Sequence, residues 1–332
     1  MQQATHIAMD EATSVRQLVF SDLYLGHATL ADRFSHVPGA QANPLQAGAQ
    51  LRADLEELTQ VCRATLAAAR TSERCKLVYD GATYLMSTML TAGGLVFVLR
   101  RIADSIETLA ELGIPSAYIR CLMGRELSGL LIVAGLAKSG KTTTACALVK
   151  ERLAAYGGVA ITGEELIELP LEGSYGNGVC YQTTTGRGPG GFQQSFRRML
   201  SAGARLVMID EIRDQETATE ALRASVDGYL VISTMVAESV TQALAKLGAL
   251  AGERMGGEAA RVLLADGVAG VMHQQIQPGL KRALKTEVLM LQDAPAARAM
   301  LRSGRFDLLA FDIKKQMAAM IAANAAAPAA MR

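Results

Sequence analysis

Gly135-Leu136-Ala137-Lys138-Ser139-Gly140-Lys141-Thr142 follows the apolar run Leu130–Ala134 and leads directly into a helix-like stretch ending near Tyr156. Glycines at these positions let main-chain N–H groups close around phosphate oxygens, and a helix starting at the loop adds partial positive charge. Lys141 is spaced to reach the outer phosphates of a nucleotide, and Thr142 offers a hydroxyl to Mg²⁺. Gly135, Lys138, Ser139, Gly140, Lys141, Thr142 and Thr143 are therefore the expected nucleotide-binding set. A glycine-rich turn that binds nothing has no need of strand, loop and helix in this register.

Such a loop requires a metal-side acid at the end of a neighbouring strand. Val207-Met208-Ile209-Asp210-Glu211 supplies two carboxylates after an apolar run. Asp210 is expected to join Thr142 in the Mg²⁺ shell and Glu211 to polarise the attacking water. Between the two motifs, the strand-like Gly158–Thr162 runs into Gly163-Glu164-Glu165-Leu166-Ile167-Glu168. Carboxylates at the carboxyl end of a sheet strand face the crevice where ligands bind in open α/β folds, so Glu164 or Glu165 is a candidate general base, with Glu164 preferred.

These motifs need a parallel sheet to hold them. The short apolar runs 129–135, 158–162, 204–211 and 228–235 alternate with helical stretches, the pattern of strands buried on both faces. Upstream, Leu51, Leu55, Leu58, Val61, Cys62 and Leu66 recur at helical spacing within residues 45–72, and Lys76–Met89 and Leu95–Ile102 read as strands. Gly113, Pro115 and Gly124 punctuate a linker. The divisions read from the sequence are 1–112, a smaller α+β domain; 113–128, a linker; 129–292, the α/β nucleotide-binding core; and 293–332, a helical segment with an Ala-rich tail.

Composition narrows the partners. The 332 residues carry 33 Lys+Arg against 32 Asp+Glu, a formal charge of +1, which calls for neither nucleic acid nor an anionic membrane as a bulk partner. Five cysteines without CxxC or Cys/His metal spacing suit a reducing compartment. The apolar stretch 86–99 is too short to span a bilayer, and the amino terminus lacks the pattern of a secretory signal, so a cytoplasmic location is expected.

In order along the chain, the phosphate loop, Ile161–Leu169, Gly190–Leu200, Arg205–Leu222 and Asp227–Met235 resemble the secretion ATPases of type II secretion, type IV pili and type IV secretion, and within them the pilus-retraction (PilT-like) branch. Thr162, Glu164, Glu165, Ile167 and Glu168 match that family's acidic segment. Gly191, Phe192 and Arg197 match its Arg-bearing helix, and Glu211, Arg213, Asp214, Glu216 and Thr217 its Walker B region. Phe20–Leu25, Val96–Ile102 and Leu109–Pro115 match its amino-terminal half more weakly. The resemblance implies a PAS-like amino-terminal domain and a RecA-like P-loop ATPase domain with bound ATP and Mg²⁺. It also implies a homo-hexameric ring, peripheral at the inner membrane through a platform protein.

Two departures bear on turnover. Tyr229 and Val236 stand where the family has histidines, leaving Ser233 and Thr234 as candidate phosphate sensors on the strand beside the loop. Arginines are sparse, and the candidates for charge stabilisation across a subunit boundary are Arg100, Arg101, Arg187 and Arg197, with Arg100 best placed. The leading reading is an ATP-hydrolysing motor of a pilus, retraction-like, or of a secretion machine. The alternative is a regulatory or structural ring subunit that binds nucleotide with weak or no turnover. A soluble P-loop kinase leaves the amino-terminal domain unexplained.

Overall fold

Helical spacing of Leu51, Leu55, Leu58 and Cys62 places all four in the core beneath α1 (Arg52–Ala68). In the computed structural model, which describes residues 12–68, 74–185, 191–277 and 283–326, the helix begins later than its apolar pattern suggests. Leu45–Gln46 is a short strand, and Ala49–Leu51 forms a 3-10 turn ahead of α1.

The chain divides into two units, one ending at Ser105 and including Glu168–Pro170, the other comprising Ile106–Ile167 and Leu171 onward. The first holds strands β1 (Asp22–Leu25), β2 (Arg33–Ser35), β3 (Leu45–Gln46), β4 (Arg74–Tyr79), β5 (Ala82–Thr91) and β6 (Gly94–Arg101). They form one antiparallel sheet in the order β3-β2-β1-β6-β5-β4. Asp80 (φ +46°) and Gly81 (φ +68°) close the β4–β5 hairpin, both in the left-handed region that a two-residue turn of this twist requires. Leu23, Leu25, Phe34, Tyr84, Phe97 and Leu99 pack with α1 into this unit's core, the smaller α+β, PAS-like domain.

The second unit contains α2 (Ser116–Leu122), β7 (Gly129–Gly135), α3 (Lys141–Tyr156), β8 (Gly158–Glu164), β9 (Gly173–Tyr175), β10 (Gly178–Thr184) and α4 (Gly191–Ser201). These are followed by β11 (Leu206–Glu211), α5 (Gln215–Val226), β12 (Leu230–Val236), α6 (Val240–Met255), α7 (Gly257–Gly267), β13 (Val268–Gln277), β14 (Ala283–Met290), α8 (Pro295–Arg302) and α9 (Leu309–Ala326). The sheet order is β14-β13-β7-β12-β11-β8-β10-β9, parallel from β13 through β10 with an antiparallel strand at each edge. Every residue of β7 is buried, as expected for a central strand covered on both faces. This is the RecA-like core, with α8 and α9 as its carboxyl-terminal helical segment. The Gln316 side chain both donates to Met290 O and accepts from Met290 N at 2.8 Å, covering main-chain groups of the edge strand β14.

Two segments sit differently from the sequence expectation. Residues from Ile106 pack with the second unit: Leu109 is buried, its N–H donates to Glu151 Oε1, and Lys150 Nζ donates to Ile106 O. The stretch read as a linker contains α2, whose Tyr118 and Leu122 are buried, and Arg152 donates to the carbonyls of Leu122 and Gly124. Hydrogen bonds to distant residues, invisible to local composition, dock this segment on α3. No helix among the described residues is long and apolar enough to cross a membrane.

All five cysteines are free thiols, and Cys62, Cys146 and Cys180 are buried. Burial pushes the Cys62 and Cys180 thiols up to about 12, so both stay protonated and unreactive near neutrality. Alkylation of the native protein at about pH 8, read by mass spectrometry, is expected to spare Cys62, Cys146 and Cys180 until denaturant is added. Fast modification of Cys180 in the folded protein would contradict the packing around β10.

Candidate functional site

The phosphate loop joins β7 to α3 and is shaped by main-chain constraints. Gly135 pairs in register with Val236 of β12, and its carbonyl accepts from Ala237 N at 3.3 Å. A Cβ at Gly135 would collide with Gln274 O and Ser139 Oγ. Gly140, the residue before α3, has φ +83°, and Lys138 has φ +64°, so the loop twice visits the left-handed region. Successive turns of this kind aim N–H groups into a concavity suited to anions. Among the described residues no side chain caps the amino end of α3, and a helix start of this kind suits an anion.

Lys141 is buried at the head of α3, and its Nζ donates to Leu136 O at 3.0 Å. Burial lowers its pKa, the Glu211 carboxylate opposes that, and nearby Lys246 adds to it. Thr142 and Thr143 follow on the first turn, both half-buried.

The acids come from β11 and β8. β12 lies between β7 and β11, so the Asp210-Glu211 pair ends a strand one removed from the loop rather than adjacent to it. The intervening strand puts Ser233 and Thr234 between lysine and acids. Register between β11 and β12 shifts from Met208↔Ile232 to Glu211↔Thr234, a bulge that re-aims the acidic end of β11. Ser233 Oγ donates to Asp210 O at 2.7 Å and stitches that bulge. Thr234, pointing to the opposite face, has a buried hydroxyl without a hydrogen-bond partner among the described residues. The two candidate sensors are thus unequal: Ser233 is committed to the backbone and Thr234 is not.

Glu164 ends β8 and is buried; its Oε1 accepts from Thr162 Oγ1 at 2.6 Å and Gln182 Nε2 at 2.8 Å. Glu165 instead pairs with Arg213, whose guanidinium pKa is raised by that bond. Glu165 lines a cleft of about 270 Å³ with Asp210, Glu211, Arg213, Asp214 and Glu216, on the side of the acids away from the loop. Glu168 groups with the first unit and accepts from Arg74 at 3.1 Å.

Of the candidate arginines, Arg100 and Arg101 belong to the first unit. Arg100 donates through Nε and Nη2 to Oδ1 of buried Asp22, at 3.1 and 2.7 Å, and Arg101 donates to Arg16 O. Arg197 is exposed on α4, and Arg187 lies outside the described residues. Tyr229 precedes the seven-residue β12 at its amino end, where its carbonyl accepts from Gly129 N. At about 3.3 Å per residue that is roughly 20 Å from the loop. Its hydroxyl reaches Leu200 O at 3.4 Å. At Val236, by contrast, Lys246 Nζ donates to the carbonyl at 3.1 Å, bringing a cation to the strand end.

Gln182, Lys246 and Gln274 were not signalled by any motif. Each reaches the site from a strand or helix remote in sequence, and no spacing rule links them to it. His273, half-buried on β13, has its pKa lowered by burial, while a bond to the Ala237 backbone acts the other way.

Residues 64–330 match the family model described as "Type II/IV secretion system protein". Among curated relatives, the type II secretion system protein E of Pseudomonas aeruginosa is 32% identical over 232 residues, 66% of this chain and 43% of that protein. The type IV pilus ATPase PilU of the same species is 30% identical over 152 residues, 45% of this chain and 38% of PilU. The matches thus span less than half the length of these relatives. The fold is shared with the pilus retraction motor PilT, solved with bound ADP, at TM-score 0.70 and 20% identity, covering 90% of this chain and 87% of PilT. The ATPase DotB of Legionella pneumophila aligns with TM-score 0.66 and 19% identity, over 87% of this chain and 84% of DotB. With four-fifths of its length inside that family model and a RecA-like sheet carrying the phosphate loop, the chain belongs to the type II/IV secretion system protein family.

Proposed function

We propose that this protein is a Mg²⁺-dependent ATPase that works as the motor subunit of a type IV pilus or of a type II or type IV secretion machine. One observation carries the reading: a buried lysine, three carboxylates and, among the described residues, an uncapped helix start and a threonine hydroxyl without a partner gather at the carboxyl edge of β7, β12, β11 and β8. That donor and acceptor set fits a nucleotide phosphate chain and a hard cation.

In this reading the N–H groups around Gly140 and the amino end of α3 hold the phosphates, and Lys141 exchanges Leu136 O for a phosphate oxygen. Gly135, Lys138, Ser139 and Thr143 complete the loop. Thr142 and Asp210 would hold Mg²⁺, which when bound neutralises charge on the phosphates. Glu164 is the base, its geometry fixed by Thr162 and Gln182, and Glu211 orients the water. Thr234 supplies the hydroxyl that senses the terminal phosphate. Arg100 and Arg197 are the candidates to complete a neighbouring subunit's site in a hexameric ring, which would dock on an inner-membrane platform protein.

A second reading, nucleotide binding with weak turnover, draws on the pairing of Arg100 with buried Asp22, which restrains the best-placed arginine. Mg²⁺-dependent ATP hydrolysis by the purified oligomer separates the two. Turnover is expected, with Lys141→Ala and Glu211→Ala each lowering it by about two orders of magnitude; no activity at any protein concentration sinks the motor reading. Thr234→Ala is expected to slow hydrolysis with little loss of thermal stability. Ser233→Ala should do the reverse, costing about 1–3 kcal/mol by leaving the Asp210 carbonyl without its donor. Denaturant titration beside steady-state kinetics checks both.

A further inference from the structure

Gln274 lies on β13, outside every motif, yet it meets the phosphate loop at three positions. β13 runs parallel to β7 with His273 opposite Ala134, which brings the next residue level with the start of the loop. Its side chain is 1% exposed, and Nε2 donates to Ser139 O at 2.6 Å. Its own carbonyl is an atom that a Cβ at Gly135 would strike, and Nε2 would lie 3.4 Å from a Cβ at Gly140. The Gln274 Oε1 and the Ser139 hydroxyl, both buried, have no hydrogen-bond partner among the described residues.

The bond to Ser139 O has a directional consequence. In a trans peptide, the carbonyl of one residue and the N–H of the next point in opposite directions across one rigid plane. Drawing the Ser139 carbonyl toward Gln274 therefore turns the Gly140 N–H away from that side chain. A buried amide costs stability unless its groups are satisfied, so a glutamine with one oxygen left unpaired is not explained by packing alone.

We propose that Gln274 is a positioning residue for nucleotide binding: it locks the Ser139–Gly140 peptide so that the Gly140 N–H faces the phosphates. The inference rests on the phosphate-loop reading above. Gln274→Met keeps length and volume but removes the donor, freeing the peptide to rotate.

The test measures the dissociation constant for ADP, by titration calorimetry on the full-length protein, for wild type, Lys141→Ala and Gln274→Met, with melting temperatures recorded without nucleotide. ADP binding by wild type that Lys141→Ala abolishes is expected. Gln274→Met should weaken ADP about tenfold, the scale of one lost buried hydrogen bond. For ATP hydrolysis, its KM should rise by more than kcat falls, as for an interaction made equally in ground and transition states. A lower melting temperature with a wild-type dissociation constant for the folded protein would mean packing only and overturn the proposal. If Gln274→Met does not fold, Gln274→Asn, which withdraws the amide by one methylene, supports the proposal by weakened ADP binding and overturns it by a wild-type dissociation constant. Wild type that binds no ADP would instead sink the phosphate-loop reading itself.

Discussion

Close approach of three strands at Gly135 is the constraint on which the rest of the site depends. Gly135 must accept from Ala237 just beyond β12 while leaving no room for a side chain against Gln274 of β13. That crowding fixes where the chain leaves the sheet, and with it the point where α3 begins. An uncapped helix start, preceded by two left-handed residues, is then a main-chain property that any nearby side chain exploits rather than creates.

Charge is arranged around that frame by burial and by strand order. Inserting β12 between the loop strand and the acid strand separates Lys141 from Asp210 and Glu211 by one strand, on which Ser233 and Thr234 present their hydroxyls to opposite faces. The bulge in β11, held by Ser233, decides which way the acids face. The pairs Glu165–Arg213 and Arg100–Asp22 occupy charges that the motifs alone would leave available. A charged residue in a motif is thus only a candidate until its partner is known, because a close ion pair changes what the group can do.

The substitutions at the family's two histidine positions carry different weight. Tyr229 sits at the amino end of β12 and hydrogen-bonds toward Leu200, so within this chain it is remote from the loop. Val236 pairs with Gly135 itself, and there Lys246 brings an ammonium to the same carbonyl edge. Strand direction, which a linear motif does not express, makes this distinction.

The glycine-rich turn between β7 and α3, the acidic ends of β8 and β11 and the parallel sheet were legible in the sequence because each is local: glycine spacing, apolar runs of strand length, carboxylates directly after them. The amphipathic face of α1 was legible for the same reason. The order of strands, the insertion of β12, the commitment of Ser233 against Thr234, and the placement of Gln182, Lys246 and Gln274 were decided by the tertiary structure alone. These depend on contacts between residues far apart in the chain, where hydrogen-bond geometry and burial act on groups that no periodicity or spacing brings together. The sequence determined which atoms could bind phosphate, and only folding determined which of them are already held by other groups.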